Sequence, residues 1–157
     1  MSWFSKSWYR DTLSFIVSVQ FEFISAGSYS SLLGLKALHS LEIVHRDLHF
    51  GNLLWSDDGE RLVIGDLECR WGQHSAPEIA CDDGTDSGWT KMSDIYDVGI
   101  CIQCIIYANV PATTQVEWPV PPPFDTVVEA CTRSVPEERP TVDELLRMVD
   151  GIIETDH

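Results

Sequence analysis

His45-Arg46-Asp47-Leu48-His49-Phe50-Gly51-Asn52 is a polar stretch between two apolar runs, Ile43-Val44 before it and Leu53-Leu54-Trp55 after it. Short apolar runs predict strands, and the polar residues between them predict a loop held at both ends. A rigid scaffold can aim reactive groups from such a loop while leaving them wet. The spacing has chemical content. Asp47 offers a carboxylate able to accept a proton from an attacking hydroxyl, and Asn52 offers an amide oxygen to a hard cation such as Mg²⁺. A second carboxylate, Asp66, ends the run Arg61-Leu62-Val63-Ile64-Gly65. Asp57-Asp58-Gly59 between the runs is an Asp-Gly turn signal, so a hairpin is predicted that brings Asn52 and Asp66 to one end. Asp57 and Asp58 read as solvated turn acids. Asp66, after an apolar strand, fits that reading poorly. Phosphoryl transfer uses parts of this kind, because its loose transition state calls for positioning and charge neutralisation.

Further stretches follow in order: Gly65-Asp66-Leu67-Glu68, Ala76-Pro77-Glu78, Ser93-Asp94-Ile95-Tyr96-Asp97-Val98-Gly99 and Glu138-Arg139-Pro140-Thr141. With the first stretch they resemble the landmarks of the protein kinase family: H-R-D-L-x-x-x-N, D-F-G, A-P-E, D-x-W-x-x-G and a late R-P-T. The resemblance spans residues 32–150. It implies a mainly α (α+β) fold, a kinase-like C-lobe helical bundle with a small catalytic-loop β-hairpin, over residues 29–153. It also implies ATP and Mg²⁺ as cofactors and a protein as substrate or partner. Asp47 would orient and deprotonate the acceptor hydroxyl, with Arg46 and His49 adding charge nearby. Asn52 and Asp66 would hold the metal. Backbone at Glu22 to Ile24 would bond adenine. The structural set is His45 in the loop, Asp94 bracing the loop, and Glu78 paired with Arg139.

Composition narrows the partners. Ten basic against 25 acidic residues give a formal charge of −15, which repels nucleic acid and anionic membrane. An apolar share of 44% is ordinary for a globular domain. The five cysteines are odd in number and scattered, unlike a disulfide framework, so an intracellular, reducing setting is expected. Cys101 and Cys104 form a C-x-x-C inside an apolar segment and read as buried thiols rather than as metal ligands. No apolar run is long enough to span a bilayer.

Along the chain, residues 1–12 read as an arm, and Leu13 to Ile24 as a strand leading to a hinge at Gly27-Ser28. Tyr29 to Ser40, with Leu32, Leu35, Leu38 and His39, reads as a short amphipathic helix. Ile95 to Tyr107 is apolar nearly all round, which predicts a helix buried on every side. Asp94 at its start also reads as a plain helix cap. Pro119 to Pro123 reads as an extended connection, and Thr141-x-x-Glu144 as a capping box opening a last helix, with residues 154–157 as a tail.

Several positions depart from the family pattern. His49 stands where a lysine is usual, and Leu67-Glu68 replace the Phe and Gly of D-F-G; both features resemble small-molecule kinases of the aminoglycoside and choline type. Between Asp66 and Glu78 the segment is short and Ser75 is its sole hydroxyl, so no phospho-switch is expected and Arg46 is left to another partner. The chain holds no G-x-G-x-x-G stretch and no strand lysine upstream, only Lys6, Arg10 and Lys36 as basic residues before the loop. It therefore reads as a C-lobe with the N-lobe largely missing. The alternative to a phosphotransferase is a catalytically inactive, pseudokinase-like binding module.

Overall fold

The computed structural model of the chain describes residues 29–58, 61–67, 75–79, 88–106, 120 and 122–155. Helix α1 covers 29–40 and turns Leu32, Leu35 and His39 inward, the stripe that helical spacing produces. The polar loop follows and closes in a 3₁₀ turn at Phe50–Asn52. Strands β1 (Leu53–Trp55) and β2 (Leu62–Ile64) pair antiparallel, with Leu53 opposite Ile64 and Trp55 opposite Leu62. Then come α2 (Lys91–Ile106), α3 (Asp125–Cys131), a second 3₁₀ turn at Pro136–Glu138, and α4 (Val142–Thr155). The described residues are mainly helical, with one two-stranded sheet.

One core joins the helices. Leu32 and Leu35 of α1, Ile95 and Ile102 of α2, Val127 and Cys131 of α3, and Leu145 and Val149 of α4 are buried together, with Leu48 reaching in from the loop. α2 is the central element, packed against α3 and both 3₁₀ turns. Gly99 sets how closely α2 and α3 approach: a Cβ there would stand 2.7 Å from Cys131 Cβ and 2.9 Å from Thr132 Cγ2. α4 begins with reciprocal bonds, Glu144 Oε2 accepting from Thr141 N (2.7 Å) and Thr141 Oγ1 accepting from Glu144 N (3.3 Å). Donation to its carboxylate from Thr141 N and Thr141 Oγ1 (2.8 Å) holds the Glu144 carboxyl below its ordinary range.

The structure departs from the sequence reading in places. α2 starts at Lys91 rather than Ile95, because Thr90 supplies the start signal: its Oγ1 accepts from Met92 N (3.1 Å) while Ser93 Oγ accepts from Thr90 N (3.1 Å). α2 is also not buried all round. Cys101 is buried against the loop, its Sγ 3.8 Å from the Leu48 carbonyl, whereas Cys104 is exposed. α4 runs through Glu154 and Thr155, into the stretch that reads as a tail, since the buried Ile152 carries the last turn inward. The arm at 1–12, the strand at 13–24 and the hinge residues Glu22 and Ile24 lie outside the described residues, as do Gly59, Cys69 and Cys81.

Apolar surface remains uncovered by the described residues. Leu33, Val63 and Leu67 are exposed along an open groove between α1 and β2, with Gly34 and Leu38 on its floor and walls. Among the described residues no helix is long and apolar enough to cross a membrane.

Candidate active site

The loop takes its shape from a residue on α2. Asp94, fully buried, accepts from His45 N (2.8 Å) and Arg46 N (2.9 Å), and His39 Nε2 of α1 bonds the same carboxylate at 2.9 Å. Its carboxylate thus serves the loop and α1, while Thr90 and Ser93 supply the cap of its own helix. Arg46 needs this clamp, because its φ of +72° lies in the left-handed region, at a cost of roughly 1–2 kcal/mol for a residue with a Cβ. The Arg46 side chain is exposed, and its guanidinium has no partner among the described residues.

His45 ties the loop to the hairpin. Its Nε2 bonds the Gly65 carbonyl (2.9 Å), and its Nδ1 accepts from Asp47 N (3.3 Å). Only the tautomer carrying its proton on Nε2 can make both bonds. The ring is buried, so a wrong tautomer would leave the Gly65 carbonyl without its donor.

Asp47 and Asn52 face each other. Asn52 Nδ2 donates to the Asp47 backbone carbonyl (2.9 Å) and to Asp47 Oδ2 (3.1 Å). With the amide hydrogens spent on Asp47, Asn52 keeps its oxygen for another ligand. His49 completes the cluster. Its Nδ1 accepts from Gly51 N (3.0 Å), which leaves the Nε2 proton facing Asp47 Oδ2 at 3.6 Å, beyond a direct hydrogen bond. Gly51 makes room for that ring, since a Cβ there would lie 2.8 Å from His49 Cε1.

The hairpin delivers Asp66. One step beyond the Leu53–Ile64 pair, Gly65 N donates to the Asn52 carbonyl (2.8 Å). Gly65 is therefore held by Asn52 on one side and His45 on the other, and Asp66 is the next residue. Asp66 is exposed, at φ +57°, a conformation that Asp tolerates better than most residues. Its carboxylate has no protein partner among the described residues. No group of three or more His, Cys, Asp or Glu side chains among those residues is placed to hold a metal ion by itself.

Behind the loop lies an ion pair. Arg139 donates from Nη1 to Glu78 Oε1 (2.6 Å) and from Nη2 to Glu78 Oε2 (2.7 Å), a bidentate arrangement. It also donates to the Met92 (2.8 Å) and Arg133 (2.8 Å) carbonyls and lies 4.8 Å from the Tyr96 ring centroid. Burial pushes the Glu78 carboxyl up, but bonds from Arg139, its own backbone and Ser93, with the Arg139 charge, outweigh burial and hold it below its ordinary value.

Sequence reasoning missed two residues here. His39 is the third donor to Asp94, and its signal was its helical spacing with Leu32 and Leu35, which read as core. Asp97 is 1% exposed, and neither of its oxygens has a hydrogen-bond partner among the described residues. Its charge in an otherwise apolar helix was the available signal.

No protein-family model matches the chain. Known proteins do. The chain is 28% identical over 162 aligned positions to the serine/threonine-protein kinase TAO1-A of Xenopus laevis, covering 83% of this chain and 16% of that protein. It is 30% identical over 155 positions to human serine/threonine-protein kinase TAO3, covering 79% of this chain and 17% of that one. To the serine/threonine-protein kinase PLK1 of Xenopus tropicalis it is 27% identical over 146 positions, 74% of this chain and 24% of that protein. The chain thus spans between 16% and 24% of the length of these relatives. A loop clamped by Asp94, a mainly helical C-lobe-like core and these similarities together make the chain a relative of the protein kinases.

Proposed function

We propose that the chain is the C-lobe part of an ATP-dependent phosphotransferase acting on a protein hydroxyl inside the cell. The observation that carries this reading is the bonding of Asn52 to Asp47 beside Gly65, which sets a carboxylate, an amide oxygen and the Asp66 position around one end of the hairpin. In this reading Asp47 accepts the proton of the acceptor hydroxyl, oriented by Asn52. His49 and Arg46 add positive character at the loop. Magnesium, when bound with the nucleotide, supplies neutralisation of the phosphate charge.

The donors suit that ion. Mg²⁺ is held by one or two protein oxygens plus phosphates and waters rather than by a full protein cage. Asn52 Oδ1 and the exposed Asp66 carboxylate are such a partial set. Free thiols at Cys101, Cys104 and Cys131 suit a reducing compartment.

The exposed apolar groove between α1 and β2 favours a second reading, a kinase-like module that binds a partner protein without catalysis. Thermal unfolding with and without Mg·ATP separates the two. At ten times its dissociation constant a ligand adds about 1.4 kcal/mol, or roughly 3–6 °C for a chain of this size. The natural chain is expected to show that shift and Asp66→Asn to lose it. Absence of any shift at millimolar nucleotide in the natural chain overturns the phosphotransferase reading.

A further inference from the structure

Asp97 is the buried group that the proposed chemistry does not use. It sits on α2 one helical turn after Asp94, close enough along the helix for the two carboxylates to interact. Asp94 has its donors; Asp97 has none among the described residues and no access to water. The charges that face it are mostly of its own sign: Asp94 from the same helix, Asp47 from the loop and Glu78 from the segment before α2. Arg139 is the facing cation, already bonded to Glu78, Met92 and Arg133. Cys101, one turn further along α2, is the other titratable group that interacts with Asp97. An ionised Asp97 would be a bare anion among anions.

We propose that Asp97 is a proton-operated latch beneath the loop: with its proton on, α2 seats Asp94 under His45 and Arg46, and with its proton off, repulsion from Asp94 and Asp47 loosens that seat. Burial pushes the Asp97 carboxyl up, Asp94, Asp47 and Glu78 push it further, Arg139 opposes them, and the result is about 8. The sign follows from proton counting. An acid whose folded value lies above its unfolded value of 3.8 holds a proton in the folded chain that the unfolded chain has lost. Its contribution to stability is therefore complete below about pH 4 and falls away as pH rises to about 8, after which nothing more is lost.

The test needs no nucleotide, so it stands apart from the phosphotransferase reading. Melting temperatures of the full chain and of Asp97→Asn are followed from pH 6 to pH 9, with Asp97→Ser as the smaller variant should the amide pack badly. The natural chain is expected to lose roughly 5–10 °C relative to either variant between pH 6 and pH 8, and then to run parallel. Amide exchange, corrected for intrinsic rate, reads the latch itself. Protection at the His45 and Arg46 amides should fall by about tenfold more over that range in the natural chain than protection at the Leu145 and Val149 amides of α4, which follows global stability down. Parallel melting curves for all chains overturn the proposal, and so does a loss of protection that is equal in the loop and in α4.

Discussion

Glu78→Ala is expected to lower the midpoint of urea unfolding sharply, by a free energy of roughly 3–5 kcal/mol. The reason is asymmetric. The Arg139 side chain is fully buried while Glu78 keeps partial exposure, so removal of the carboxylate strands a cation that water cannot reach. The Met92 and Arg133 carbonyls and the Tyr96 ring hold Arg139 in place, and none supplies a negative charge. The double change Glu78→Leu with Arg139→Met should cost less than the sum of the single changes, because neither charge is left behind. The pair also has a pH signature. Since the Glu78 carboxyl lies below its ordinary 4.5 in the folded chain, its contribution is present above that value and is lost as pH falls through the folded one. The acid limb of unfolding should therefore be shallower in Glu78→Gln. A Glu78→Ala chain within 1 kcal/mol of the natural one, by order of magnitude about a fifth to a third of the expected loss, would contradict this picture.

Asp94→Ala is the second large effect. It orphans the His39 ring and the N–H groups of His45 and Arg46 at once, in a fully buried position. At about 1–3 kcal/mol for each buried donor left unsatisfied, the loss should reach several kcal/mol, partly offset where the loop opens to water. The Arg46 backbone, held at +72°, should relax first. Hydrogen exchange will show this as loss of protection at residues 45 and 46 ahead of α4. Asp94→Asn retains one acceptor oxygen and should fall between the two. A change confined to global stability, with the loop still protected, would mean that Asp94 merely fills the core.

The helices were largely legible in the chain. Leu32 and Leu35 in α1, and Leu145, Leu146, Val149 and Ile152 in α4, lie at helical spacing, and burial is what such spacing produces. The Asp-Gly signal at Asp58-Gly59 sits between two short runs that do pair. The start of α2 was harder, because Thr90 and Ser93 precede the apolar run and cap it through side-chain bonds that periodicity does not register. The site was less legible by spacing. Asp94 lies 49 residues from His45, and Arg139 lies 61 from Glu78, so family resemblance rather than local pattern linked them. Asp97 was read as one more residue of a family segment. Its burial, with no partner among the described residues, depends on segments distant in sequence closing over it, and no local pattern encodes that.

Nucleotide binding at the loop is measured most directly by an amide chemical-shift titration of the full chain with Mg·ATP. The perturbed amides are expected to cluster at residues 47–54 and 65–67, around Asp47, Asn52 and Asp66, and Asn52→Ala and Asp66→Asn are expected to weaken the response. Perturbations scattered over α3 and α4, or none at millimolar nucleotide, would contradict it.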